Sequence, residues 1–183
     1  MMFGLFSRNR NKPLIDKLHG EIMAGVLNPA LYLSCGVPDT FEGRFEMLVL
    51  HGALTTRRIE RLPAPGPDLA QDLTDAIFRY LDVTLREMGV GDVTVPKKMK
   101  KHAESYAGRA FSYFMALDAK DEDALRVALA RNVCGDEARA GSSEMQHLAH
   151  YALAVETALG RYELDHFLSG QIGYPDPALK PGA

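Results

Sequence analysis

The chain has 183 residues, 46% of them hydrophobic and 25% charged, which is typical of one globular domain and excludes an intrinsically disordered chain. Its net charge of −3 conceals two basic segments, residues 1–12 and 97–109, on an acidic body. This distribution favours anionic partners at chosen places over general nucleic-acid affinity. Two cysteines are too few for a disulfide framework, and no apolar run reaches the roughly 18–20 residues of a membrane span.

The first elements in chain order are predicted to be helices. Pro13 suits a first helical position, and apolar residues follow it at helical spacing as far as Met23. Asn28 and the proline after it interrupt this pattern. Asp39 is the predicted N-cap of the next helix, and Glu42 is predicted to complete a capping box with it.

Two long helices are predicted in the middle of the chain. The proline-rich stretch at residues 62–67 ends the preceding helix, and Asp68 is the predicted cap of the next one. Gly89 is typical of the position just after a helix. The following helix is predicted to begin near Pro96 and to run to about Leu117.

The last third of the chain is also predicted to be helical. Asp121 and Ser142 are the expected N-caps of two helices, which end at Gly135 and Gly160. A short helical piece is expected at residues 163–168. Strand-like alternation, a glycine-rich phosphate loop and internal repeats are all missing from the sequence, which therefore predicts an all-α fold.

The predicted architecture is a single compact all-α domain of about six to seven helices. We expect residues 1–12 to form a basic and apolar N-terminal tail, and the alternative to its resting weakly on a membrane interface is a disordered terminus. Residues 13–170 are expected to form the helical domain, and residues 171–183 a proline-rich C-terminal tail.

The helix after Pro96 opens with four lysines in five residues, although cations are unfavourable at a helix N-terminus. With Met99 at zero and about 100° per residue, its apolar residues fall within about 60° of one line. These are Ala103, Tyr106, Ala110, Tyr113, Phe114 and Leu117. The cations lie on the flanks and the far side, and only the pair Lys100 and Glu104 has (i, i+4) spacing. The predicted anion- or partner-binding residues are Lys97, Lys98, Lys100, Lys101 and Arg109, and the alternative is a solvated helix face.

Other candidate sites are weaker. His147 and His150 lie at i, i+3, on one predicted helix face, and can ligate a metal only if another helix adds a carboxylate. His51, with or without Met47, has two possible roles. It either handles haem or occupies a position at the edge of the core. Cys35 has no base beside it in sequence and is expected to be buried. We predict no catalytic residues, no bound metal and no cofactor.

Two stretches of this chain resemble the ubiquinol-cytochrome c chaperone family. The resemblance covers roughly residues 10–170, and Gly108, Arg109, Ala110 and Tyr113 also fit it. The first stretch is Asp39-Thr40-Phe41-Glu42-Gly43-Arg44-Phe45-Glu46-Met47-Leu48. The second stretch is Leu85-Arg86-Glu87-Met88-Gly89-Val90-Gly91-Asp92-Val93-Thr94-Val95-Pro96-Lys97-Lys98-Met99-Lys100-Lys101.

The resemblance implies a non-enzymatic, all-helical assembly chaperone for the cytochrome bc1 complex, respiratory complex III. Its implied partners are cytochrome b, nascent or newly inserted, a ribosome or anionic membrane surface, and a small partner protein. DNA is not among them. The implied location is cytoplasmic and peripheral to the inner membrane. The alternative is an RNA- or anionic-lipid-binding adaptor unrelated to respiration, and a metal-dependent enzyme using His147 and His150 is a third reading.

Overall fold

A computed structural model of the protein describes residues 11–179, which contain helices and no strand. The all-α prediction is therefore confirmed. The α-helices are α1 Lys12–Val26, α2 Pro29–Leu33, α3 Phe41–Glu60, α4 Gly66–Glu87, α5 Val95–Ala119, α6 Glu122–Leu129, α7 Ser143–Gly160 and α8 Leu164–Ser169. A π-helical turn, Ala130–Cys134, and a 3-10 turn, Glu137–Gly141, join α6 to α7. The predicted basic tail lies outside the described residues, apart from its last two positions.

Helix α3 is the centre of the fold, because every residue from 45 to 55 is buried. A helix that is buried on all sides must be enclosed by its neighbours, and α1, α4, α5 and α7 all pack against it. Residues 171–179 extend along the surface of this bundle, where Ile172 and Pro177 are buried. Within residues 11–179, no helix is both long enough and apolar enough to cross a bilayer.

Two helix starts differ from the sequence prediction. Thr40, not Asp39, is the N-cap of α3, and its side-chain oxygen accepts a hydrogen bond from the Gly43 N–H at 3.1 Å. The capping box with Glu42 is therefore wrong. Helix α4 begins at Gly66, two residues before the predicted cap, so that Asp68 lies in its first turn and interacts favourably with the helix dipole.

The later helix boundaries follow the sequence prediction. Asp121 accepts a hydrogen bond from the Ala124 N–H at 2.9 Å, and Ser142 accepts one from the Met145 N–H at 3.3 Å. Gly135, which follows the π-helical turn, has a positive φ of 69°. These caps were predictable because their partners lie only three residues away in the chain.

Candidate functional site

An apolar groove of about 410 Å³ lies between the C-terminal end of α1, the start of α3 and the end of α4. Its lining residues are Met23, Val26, Leu27, Asp39, Thr40, Phe41, Arg44, Phe45, Leu48, Tyr80, Leu81, Thr84 and Met88. Six of them belong to residues 39–48, and Met88 belongs to residues 85–101. The first stretch that carries the family resemblance therefore forms much of this groove, and the second contributes Met88.

The rim of the groove is partly polar and partly apolar. Arg44 donates hydrogen bonds through Nε and Nη2 to Asp39 Oδ1 at 2.9 and 2.8 Å, and this pair holds the entry to α3. Leu27 and Met88 stand at the rim with about half of their surface exposed. Large apolar side chains around a concave surface are typical of a site that binds an apolar ligand or segment.

The N-terminal part of α5 borders this groove through His102. The His102 ring lies 4.8 Å from the Phe45 ring and 5.9 Å from the Phe41 ring, between centroids. Burial lowers the pKa of His102, and the neighbouring charges of Lys98 and Lys101 lower it further. His102 is therefore a neutral packing residue that joins the lysine-bearing turns to the groove.

The buried side of α5 is rotated relative to the prediction. Ala103, which was expected in the buried stripe, is exposed, whereas Tyr106, Ala110 and Tyr113 are buried as predicted. The reason is that Phe41 and Phe45 approach α5 from the His102 side. Helical periodicity alone cannot locate the neighbour that defines the buried direction.

All four lysines at the start of α5 are exposed. Lys100 Nζ lies 3.9 Å from Glu104 Oε1, the one (i, i+4) pair that the spacing predicts. The side chains of Lys97, Lys98 and Lys101, which are exposed, form no hydrogen bond or ion pair with the other described residues. These cations are therefore free to meet an external anion.

Arg109 has a different environment from the lysines. Its Nε donates to both carboxylate oxygens of Glu46, at 2.8 and 2.6 Å, and its Nη1 donates to the Ser105 carbonyl at 3.3 Å. The guanidinium carbon lies 5.7 Å from the centre of the Phe45 ring. Arg109 thus joins α5 to α3, and its charge is already neutralised within the protein.

A second ion pair joins α5 to α3 further along both helices. The buried guanidinium of Arg57 donates a hydrogen bond to Asp118 and lies over the Phe114 ring, 4.7 Å from its centre. Arg57 also lies 3.7 Å from Glu156 of α7. The helix that carries the lysines is therefore held at two points, which fixes the direction in which they project.

His51 is buried at the centre of a polar cluster. Its Nδ1 donates to the Met47 carbonyl at 2.7 Å, so its Nε2 accepts the Tyr151 hydroxyl at 2.8 Å. Tyr174 packs edge-on against the ring, and its hydroxyl is hydrogen-bonded to Thr55 at 2.7 Å. Both nitrogens of His51 are engaged, so in this arrangement neither is free to bind haem iron.

From this cluster we predict that the protein loses stability in mild acid. Burial lowers the pKa of His51 to about 4 from 6.5, so the unfolded chain takes up a proton where the folded chain does not. The contribution of neutral, buried His51 to the free energy of unfolding is complete above pH 6.5 and is lost as the pH falls towards 4. Between pH 7.5 and 5 it should decrease by about 2 kcal/mol.

Urea unfolding at several pH values measures this decrease. The variant His51→Gln is the matched comparison, because glutamine does not titrate. Its unfolding free energy should fall by about 2 kcal/mol less than that of the wild type over the same pH range. Parallel curves for the two proteins would assign the acid sensitivity to other groups.

The two histidines of α7 do not share an environment. His147 is buried and His150 is exposed, because the edge of the buried face passes between these positions, which are about 60° apart around the helix. They lie on one side of the helix, as their spacing predicts, but at the boundary between its buried and exposed parts. Among residues 11–179, no three His, Cys, Asp or Glu side chains are placed to hold a metal ion. Cys35 is buried as predicted, which raises the pKa of its thiol to about 11.

The sequence alone does not locate this groove, although residues 39–48 and 85–101, which carry the family resemblance, contribute seven of its lining residues. The missing information was that α1 contributes the third wall, through Met23, Val26 and Leu27. These residues resemble any other apolar positions at helical spacing.

Comparisons with known proteins agree with the fold. A sequence model described as ubiquinol-cytochrome c chaperone matches residues 33–174. A solved structure, "Crystal structure of the Cbp3 homolog from Brucella abortus", is 34% identical in sequence with a TM-score of 0.84. The alignment covers 99% of this chain and 100% of the other. No match was found among curated proteins.

Proposed function

Because the chain belongs to the ubiquinol-cytochrome c chaperone family, we propose that it binds newly made cytochrome b during assembly of the bc1 complex. It does so without catalysing a reaction. Cytochrome b is a membrane protein, so its apolar segments must be shielded whenever they are outside the bilayer. A chaperone for such a client needs an apolar surface that is open to solvent.

The observation that carries this proposal is the apolar groove itself, to which residues 39–48 contribute six lining residues and Met88 a seventh. The groove is bounded by helices that are well packed elsewhere, so it is preformed. Its exposed rim, with Leu27 and Met88, is suited to a helical or extended apolar segment of the client.

The lysines beside the groove supply the second part of the proposed function. Lys97, Lys98, Lys100 and Lys101 dock the protein on an anionic surface at the cytoplasmic side of the inner membrane. A lysine near an anionic bilayer contributes about 1 kcal/mol before screening by salt. Arg109, which was predicted with them, positions α5 and lies outside the proposed docking set, because Glu46 occupies its guanidinium.

The double variant Leu27→Asp with Met88→Asp tests the groove. It places two carboxylates at the apolar rim, and because both residues are about half exposed the fold should survive. In a strain that lacks the gene, we expect the variant to recover neither cytochrome b with the tagged protein nor the reduced haem b spectrum of the membranes. Wild-type protein should restore both.

Leu33→Asp is the matched control, because Leu33 is 84% exposed and lies outside the groove. It should behave like the wild type. Normal bc1 levels in the deletion strain would contradict the chaperone function itself. Equal capture of cytochrome b by the groove variant would place the client elsewhere.

A variant with all four lysines replaced by glutamine separates docking from capture. It should still recover cytochrome b from detergent extracts but lose membrane association that is sensitive to salt. The second candidate function, an RNA- or lipid-binding adaptor, is supported by the exposure of these lysines. Binding to RNA or vesicles that depends on salt, together with normal bc1 assembly in the deletion strain, would favour it.

A further inference from the structure

The outward side of α5 carries two bulky apolar side chains that nothing in residues 11–179 covers. Phe111 is 65% exposed and Met115 is 56% exposed, and they are neighbours because they lie four residues apart. Ala107 beside them is also exposed, and Gly108 faces open space. The four residues form an apolar surface on a helix whose opposite side is packed in the core.

This apolar surface lies on the same side of α5 as the lysines. Lys97 and Met115 are separated by about five turns, so they lie on one line along the helix, about 27 Å apart. Lys100, Lys101 and Phe111 lie within about 60° of that line. One face of the helix therefore has cations at its N-terminal end and apolar groups in its C-terminal half.

We propose that this face, which we call the bilayer face (Lys97, Lys100, Lys101, Phe111 and Met115), lies flat on an anionic lipid bilayer. The lysines contact phosphate headgroups, and Phe111 and Met115 insert at the level where headgroups meet acyl chains. The inference rests on the proposed work at a membrane surface and adds the residues and the orientation with which the protein meets the lipid.

Charge and shape favour a bilayer as the partner. Within about 60° of its line the face has three lysines and two acids, and both acids are paired, Glu104 with Lys100 and Asp118 with Arg57. It is the outer side of a helix, whereas the apolar groove that suits a polypeptide segment lies elsewhere. Cations combined with exposed aromatic and aliphatic groups on one helix face are typical of helices that lie in a membrane interface.

The orientation has a consequence for the client. His102 joins the start of α5 to Phe41 and Phe45 of the groove. His102 lies about 140° around the helix from Lys97, so the groove borders the side of α5 turned away from the bilayer face. A client segment held in the groove would therefore be separated from the lipid by about the diameter of α5, roughly 10 Å.

Tryptophan fluorescence tests the inserted position directly, because the chain contains no tryptophan. The variant Phe111→Trp should show a blue shift and protection from aqueous quenchers when it meets vesicles of phosphatidylcholine with phosphatidylglycerol. It should show little change with phosphatidylcholine alone. Leu33→Trp, at an exposed position of α2, is the control and should change with neither.

Vesicle sedimentation measures how much each part of the bilayer face contributes to the affinity for lipid. Replacing Phe111 and Met115 by serine should weaken binding to the anionic vesicles by about tenfold or more. Replacing Lys97, Lys100 and Lys101 by glutamine should weaken it by about fivefold for each lysine at low salt. Because all five residues are exposed, circular dichroism should show folded variants.

Several outcomes would overturn the bilayer face. Wild-type affinity in the double serine variant would do so, as would an unchanged Phe111→Trp spectrum on vesicles that sediment the protein. A blue shift that requires cytochrome b and occurs without lipid would make this a protein-binding face instead. Since the vesicles contain no client, failure to capture cytochrome b with normal vesicle binding would contradict only the proposed chaperone function.

Discussion

Replacing Arg109 by methionine should destabilise the protein by about 3–5 kcal/mol at neutral pH. The substitution keeps much of the side-chain volume but leaves the Glu46 carboxylate, which is 4% exposed, without its cation. In the wild type Arg109 Nε donates to both oxygens of that carboxylate. Urea unfolding at pH 7 measures the loss as a lower midpoint with an unchanged slope.

The pH dependence of this loss identifies its cause. Burial raises the pKa of Glu46 above 4.5, and hydrogen bonding to Arg109 opposes that rise. Without Arg109 the pKa of Glu46 should rise further. The loss of stability in the variant is therefore complete above the folded-state pKa of Glu46. It should disappear as the pH falls below 4.5, where the folded and unfolded states are both protonated. The acid sensitivity of His51 is common to both proteins and cancels in their difference.

Two controls separate the ion pair from other effects. The double variant Glu46→Leu with Arg109→Met removes both charges and should recover most of the lost stability. Lys98→Met removes an exposed lysine and should change stability by less than about 0.5 kcal/mol. If Arg109→Met were as mild as Lys98→Met, Arg109 would return to the docking set.

Replacing Gly43 by alanine should destabilise the protein by about 3 kcal/mol or more. A Cβ at this position would lie 1.9 Å from the Pro38 carbonyl oxygen. That oxygen accepts the Thr40 N–H at 2.9 Å, so it cannot move without disturbing the N-cap of α3. The expected result is a lower melting temperature and a displaced groove rim at residues 39–41.

Gly20→Ala is the matched control for Gly43→Ala. Gly20 lies within α1, and a Cβ there would meet nothing within 4 Å. Alanine is the better helix former, so this variant should gain up to about 1 kcal/mol. Similar gains for both variants would mean that Pro38 can move aside at little cost.

Local signals were sufficient for much of the fold. Asp121 and Ser142 were predicted as caps because the N–H groups that they accept lie three residues ahead. The α3 cap was misplaced by one residue. Asp39 and Thr40 are both common N-cap residues and adjoin in the chain, and it is Thr40 that accepts the Gly43 N–H.

The candidate site was predictable only in part. Residues 39–48 and 85–101 were identified from resemblance, and the lysines were expected to project outward. The third wall of the groove, the burial of His102 against two phenylalanine rings, and the exposure of Phe111 and Met115 were not predicted. Each depends on where another helix packs.

The sequence by itself determined the helical class, most helix boundaries and the segregation of cations at the start of α5. These properties depend on residue spacing and on hydrogen bonds between close neighbours in the chain. Which of the basic residues are left without a carboxylate partner depends on the tertiary packing. Arg109 and the lysines belong to one helix, but a carboxylate 63 residues away, on α3, occupies the arginine. Burial and charge pairing depend on distances in space, and helical periodicity defines those distances only within one element.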